Sequence, residues 1–119
     1  MAQLNFFHIC GDAFLTEGSR ALNVIGIFDQ VHAQKFPALI PSFATVAHVT
    51  AMEGVHKLKL IIKHEGNSVA EIASEFTGSN HQWISHYAGM SFPVAGEYLF
   101  EIRVDDELIG TKRLEIKQV

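Results

Sequence analysis

The sequence predicts a single all-β domain over residues 1–119, a sandwich or barrel of antiparallel strands. Hydrophobic residues make up 48% of the chain and charged residues only 18%, so a chain of this length can bury a substantial core. Gly54, Gly66 and Gly78 stand twelve residues apart and separate β-rich runs. Turn residues at such regular intervals are typical of sandwiches and barrels.

The first half of the chain contains three runs rich in Val, Ile, Phe and Thr. These residues favour extended structure, and the runs therefore predict strands. The predicted strands are Leu4–Cys10, Ala21–Phe28 and Phe43–Met52. The segment from Asp29 to Ser42 is predicted to be a long connection that crosses between sheets, with room for one short irregular strand.

The alternation of side chains is clean from Lys57 to Lys63, which predicts a half-buried strand followed by a hairpin turn at Glu65–Asn67. Residues 68–77 fit two structures. Apolar residues recur there at helical spacing behind a capping box, but they also alternate with Glu71 and Glu75. Two glutamates four residues apart would repel on a helix, so we favour a strand.

The remaining strands lie in the last third of the chain. A strand is predicted over Gln82–Phe92, and a second one over Glu97–Val104, where apolar and charged residues alternate. Asp105 and Asp106 form a turn, after which Leu108–Lys117 returns as the hairpin partner. The chain is therefore predicted to fold as a single antiparallel β-sandwich of seven or eight strands.

Several short motifs resemble one family across nearly the whole chain. They are Gly26-Ile-Phe-Asp29, Phe36-Pro37 and the hairpin that begins Gly96-Glu-Tyr-Leu-Phe100. The chain resembles a bacterial family of small immunoglobulin-like β-sandwich proteins of unknown function. This resemblance implies an immunoglobulin-like sandwich, a cytoplasmic bacterial origin and no catalytic residues. The hairpin tip departs from the pattern, because a glycine is expected near Asp106.

Charge and composition exclude several classes of protein. The net charge of −4 disfavours an electrostatic nucleic-acid binder. The longest segment without Asp, Glu, Lys or Arg is Phe36–Met52, whose 17 residues include two prolines and are too short for a membrane helix. The N-terminus has no basic residue before Arg20, unlike a secretory signal, and the single cysteine forms no internal disulfide. We expect a soluble cytoplasmic protein.

The seven histidines raise the question of a metal or catalytic site. Only His8, Cys10 and Asp12 share one face of a strand, and neighbours on that face are about 7 Å apart. The sequence has no standard zinc spacing, nucleophile elbow or phosphate loop. We therefore expect no metal, no cofactor and no enzymatic activity. The alternative is a protein that binds a metal or small ligand through its histidines and Cys10. An enzyme that uses the same residues belongs to this alternative.

Two features point to binding between proteins. Trp83 and Tyr87 lie on one face of their strand, and either face could be the core. If their face is exposed, they form an aromatic interaction site; otherwise Trp83 is the core tryptophan. The neutral segment Phe36–Met52 is hard to bury in so small a domain, which favours a homodimer, or pairing through a sheet edge.

The predicted function is therefore a non-catalytic protein-binding or self-assembling module. The histidines, whose ordinary pKa is about 6.5, further predict that its stability depends on pH.

Overall fold

The computed structural model describes residues 2–119, and these residues form strands and turns without a helix. The strands are β1 (Gln3–Leu15), β2 (Leu22–Ile27), β3 (Gln30–Ala33), β4 (Ala38–His64), β5 (Asn67–Phe92), β6 (Gly96–Val104) and β7 (Glu107–Gln118). The all-β class is confirmed, and residues 68–77 are strand. Over the described range, nothing helical is long and apolar enough to cross a membrane.

The seven strands belong to one sheet in the order β2-β1-β4-β6-β7-β3, with β5 paired to β4. All pairs are antiparallel except β3 with β7, where Gln30 lies opposite Glu115 in a parallel pair. The sequence predicts antiparallel pairing throughout, so this pair is a correction. Its cause is the connection after β2, which crosses from one end of the strand order to the other and delivers β3 beside β7.

Strands β4 and β5 are each longer than predicted, because each joins two predicted strands into one. β4 has 27 residues and β5 has 26. A straight strand of that length would extend about 90 Å, whereas the longest dimension of the molecule is 46 Å. Both strands therefore bend. The bend coincides with a register shift between Thr50 and Gly54, where Gly54 lies opposite Gly78 and both have positive φ (154° and 128°).

The bend divides the sheet into two parts, because β4 pairs with β1 before it and with β6 after it. The first half-sheet consists of β1, β2 and residues 38–50 and 80–92. The second half-sheet consists of β3, β6, β7 and residues 54–64 and 67–78. Buried side chains of both half-sheets meet in one core, where the rings of Phe43 and Phe100 are 6.5 Å apart.

The middle of the neutral segment Phe36–Met52 is hidden inside the chain. Its residues 43–47 are all buried, because this part of β4 lies between β1 and β5 and is covered on both faces. Phe43 and Ala47 face the main core. Ala44 and Val46 form a second cluster with Cys10 and Ala13, against which side chains of β2 pack. Leu39 and Met52 of the same segment remain exposed, at 64% and 73%.

The two tight turns have the conformations that their residues favour. Glu65 and Gly66 both have positive φ (50° and 80°), as a two-residue hairpin turn requires. Asp105 and Asp106 also have positive φ (49° and 69°), which Asp tolerates better than most residues. The carboxylate of Asp105 accepts a hydrogen bond from the Lys57 N–H at 2.9 Å, so it supports this turn without the expected glycine.

Candidate functional site

The predicted strip of His8, Cys10 and Asp12 does not converge. Cys10 is fully buried with its Sγ 3.5 Å from the Ala44 carbonyl oxygen, and burial raises the pKa of its thiol. The His8 ring stacks on Phe6, with centroids 5.7 Å apart. Asp12 is exposed. Within residues 2–119, no three or more His, Cys, Asp and Glu side chains are grouped to hold a metal ion.

His86 approaches Asp12 from a strand that is not its neighbour in the sheet. Its Nε2 lies 3.3 Å from Asp12 Oδ1 and 3.0 Å from the Ala13 carbonyl oxygen. The β1–β2 hairpin therefore bends over the outer face of the first half-sheet as far as β5. Cys10 and Ala44 are inaccessible to solvent because Leu22, Val24 and Ile84 pack against their cluster.

Trp83 and Tyr87 are core residues, so of the two alternatives that the sequence left open the exposed interaction pair is wrong. Their exposed fractions are only 7% and 9%. The Tyr87 ring stacks on Phe43 at 4.4 Å, and its hydroxyl lies 3.0 Å from Thr45 Oγ1. Burial raises the pKa of Tyr87 to about 12. The face that carries both aromatic rings therefore packs inward.

The bend creates a contact that the sequence did not predict, between His56 and Asp105. His56 Nδ1 is 2.6 Å from Asp105 Oδ2, and His56 Nε2 is 2.6 Å from the Met52 carbonyl oxygen. Both neighbours are acceptors, so only the imidazolium form donates to both. The hydrogen bond to Asp105 is the main reason that the pKa of His56 is raised. The pKa of Asp105 is lowered, first by the Lys57 N–H and then by His56.

This histidine is a structural link rather than a general base. A pocket of about 200 Å³ lies beside it, lined by Ala2, Ala51, Met52, Val104 and Glu107 as well as the pair itself. However, both ring nitrogens already have partners within the chain, so neither is free to move a proton to or from a bound molecule. His56 instead ties the bend of β4 to the β6–β7 turn.

The outer faces of the two half-sheets differ in charge. On the second half-sheet, the Glu101 carboxylate lies 3.2 Å from Lys63 Nζ and 3.3 Å from Arg103 Nη2. The strand segments of the first half-sheet contain a single charged residue, Asp12. The second half-sheet therefore carries charges that pair with one another. The first half-sheet has the composition of an interface centre, where charged residues are depleted.

The first half-sheet also ends in an open strand edge. Among the strands of residues 2–119, β5 pairs with β4 alone, so its other side has no hydrogen-bonded strand beside it. The strands at the two ends of the strand order, β2 and β3, have only six and four residues. Natural proteins protect edges with short strands, charges, prolines and bulges. Residues 79–88, which we call the open edge, lie between the positive-φ glycines Gly78 and Gly89 and contain no Asp, Glu, Lys, Arg or Pro.

These observations define an all-β protein with one bent sheet, in which one half-sheet has a single charged strand residue and an open edge. The chain belongs to a family of unknown function (DUF6941), whose sequence profile matches residues 5–117. The predicted resemblance to a family of unknown function is thereby confirmed. Among solved structures, the chain is similar to an immunoglobulin-like protein from Pseudomonas aeruginosa. That match has 14% identity, a TM-score of 0.47, and coverage of 98% of this chain and 97% of the other. No curated protein matches.

Proposed function

We propose that the protein is a non-catalytic module that binds protein, and assembles with itself, through its first half-sheet. The observation that carries the proposal is that the strands of this half-sheet contain one charged residue, Asp12, together with the open edge. Large apolar side chains are exposed on its β1–β2 hairpin, where Ile25 and Ile27 are 54% and 55% accessible and Phe14 is 43% accessible. Exposed apolar side chains rimmed by polar groups are typical of protein interfaces.

A non-catalytic role is supported by the state of the reactive side chains. The thiol of Cys10 is buried and its pKa is raised, which makes it a poor nucleophile. Both nitrogens of His56 are occupied by Asp105 and the Met52 carbonyl group. The proposal therefore needs no cofactor, nucleic acid or membrane.

We further propose that the protein is an immunoglobulin-like sandwich in the cytoplasm of a bacterium. The shared core between the half-sheets supports their stacking as two layers of an immunoglobulin-like sandwich. A cytoplasmic, bacterial setting agrees with a single cysteine that is free and buried, because reducing compartments keep thiols unpaired.

Native mass spectrometry of the purified chain tests this function. We expect a homo-oligomer, most simply a dimer, with a mass that is a multiple of 13.2 kDa and no excess from a retained metal or small molecule. A monomer that persists at high micromolar concentration and captures no protein contradicts the proposal. A mass excess of a metal ion or small ligand would instead support the alternative, a histidine-based binding protein.

A further inference from the structure

We infer that the partner is a second copy of this chain, held by antiparallel pairing of the open edges of two β5 strands. This inference rests on the proposed function, since it names the partner and the contact for the first half-sheet. It requires no change in the fold of either copy, because the edge is already extended and already free on one side.

The chemistry of a strand edge selects a strand as its partner. Along residues 79–88, alternate backbone N–H and C=O groups point away from β4, and they repeat every second residue. Only another extended backbone matches that repeat over ten residues, as in known cases of strand addition. Small molecules and helices do not present donors and acceptors at this spacing.

Self-pairing is favoured by what the open edge contains and what it lacks. An antiparallel dimer has a two-fold axis, so each side chain of one copy faces a side chain of the same segment in the other. Like charges opposite each other would destabilise such a pair. The open edge has no Asp, Glu, Lys or Arg, so no permanently charged pair meets at any register within it. The preceding part of β5, by contrast, carries Glu71 and Glu75.

The same geometry limits the assembly to two copies. Pairing through the two-fold axis uses the long edge of both chains at once. The strands at the two ends of the strand order, β2 and β3, have only six and four residues. Short edges of this kind are a recognised protection against further pairing. We therefore expect a closed dimer rather than a fibre.

The test uses opposite charges at one exposed edge position. Gln82 is exposed, so Gln82→Lys and Gln82→Glu leave the core intact. Each variant alone brings two like charges near the two-fold axis, and at about 10 mM salt such charges act over about 30 Å. We expect the dimer Kd of each variant to rise at least about tenfold, a change of about 1.4 kcal/mol. An equimolar mixture of the two variants should restore association as a heterodimer.

A matched control and a second measurement keep the result unambiguous. Thr111→Lys adds the same charge at an exposed position of β7 and should leave the Kd unchanged. Hydrogen exchange of the wild-type protein should show amides within residues 79–88 that become protected as concentration rises. This measurement uses the wild-type protein alone and does not depend on the folding of any variant.

The outcomes separate this inference from the proposed function. The edge pairing is overturned if the wild-type protein is a dimer, both Gln82 variants have the same Kd as the wild type, and residues 79–88 show no new protection. Self-assembly then still stands. A wild-type protein that stays monomeric but captures a different protein also overturns the inference and leaves protein binding in place. A monomer without any partner overturns both.

Discussion

His56 connects three parts of the chain that are remote in sequence: the bend of β4, the β6–β7 turn and β5. It bonds to the Met52 carbonyl oxygen and to Asp105, and its ring lies 5.1 Å from Phe76. The imidazolium is the form that satisfies both acceptors. A titratable side chain therefore lies at the point where the sheet changes direction.

Replacing this residue should make stability less dependent on pH. Because the pKa of His56 is raised in the folded state, its contribution is fully present below about pH 6.5, the ordinary value, and is lost as pH rises through the folded value. We expect His56→Gln to lower the Tm at pH 6 and to have a smaller effect at pH 8.5. Thermal melts across this range provide the measurement.

The exposed His32 supplies the control, and His32→Gln should change the Tm little at any pH. His81 acts in the opposite direction, because burial lowers its pKa and the folded state therefore loses stability as pH falls below about 6.5. An equal loss of Tm in His56→Gln at pH 6 and pH 8.5 would show that the imidazolium form is not the stabilising one.

Cys10 should behave as an apolar core residue. Its side chain is fully buried, it lies beside Ala44 under the β1–β2 hairpin, and the pKa of its thiol is raised. Reaction with a thiol reagent requires a thiolate that the reagent can reach. We expect labelling of the native protein to be at least about a hundredfold slower than labelling of the protein unfolded in urea, because both conditions fail. Labelling at equal rates would indicate an open first half-sheet.

Among the strands, the bend of β4 and β5 is the feature on which the topology depends. Gly54 has a φ of 154°, and no atom of a neighbouring group lies within 4 Å of the position that a Cβ would occupy. The difficulty for any other residue is therefore conformational rather than steric. Without the bend, β4 would not exchange β1 for β6 as its partner.

A substitution at this glycine should be destabilising in spite of the free space. We expect Gly54→Val to reduce the free energy of unfolding by about 1–3 kcal/mol, because Val is poorly suited to positive φ. Ser74→Val, at an exposed position of β5, should have almost no effect or a small favourable one. Urea denaturation of the two variants provides the comparison. Equal stability of both would mean that the bend tolerates an ordinary backbone conformation.

At the scale of the whole molecule, one core joins the two half-sheets. Phe43 of the first half-sheet stacks on Tyr87 and approaches Phe92 and, across the core, Phe100 at 6.4 and 6.5 Å. Such shared packing should make the protein unfold as a unit, as small domains usually do. We therefore expect the half-sheets to fold together.

Truncation of Phe43 tests this cooperativity. We expect Phe43→Ala to cost about 3–5 kcal/mol, with one transition seen alike by the fluorescence of Trp83 and by far-ultraviolet circular dichroism. Leu39→Ala is the control, because Leu39 is 64% exposed and should cost less than about 0.5 kcal/mol. Two separated transitions would indicate that the half-sheets unfold independently.

The elements that sequence reasoning predicted are those whose signals are local. Alternation from Lys57 to Lys63 and from Glu97 to Val104 identified two strands whose inner faces are fully buried. The turn residues at Glu65–Gly66 and Asp105–Asp106 were identified because their conformations depend on one or two residues.

The candidate site could be predicted only in part, because its members depend on pairing. Nothing in the neighbourhood of Gln82 or Ala88 indicates that their strand has one neighbour rather than two. The inward face of Trp83 and Tyr87 was left open for the same reason, since both faces of that strand carry apolar residues.

The sequence by itself determined the all-β class, most strands and the tight turns, because side-chain alternation and turn chemistry act over two to four residues. Tertiary structure alone decided the fusion of four predicted strands into two, the parallel β3–β7 pair and the meeting of His56 with Asp105. It also decided that residues 43–47 are covered from within the chain, whereas Leu39 and Met52 stay exposed. These features depend on which strands become neighbours, and that choice reflects the packing of residues far apart in the chain, such as Phe43 and Phe100.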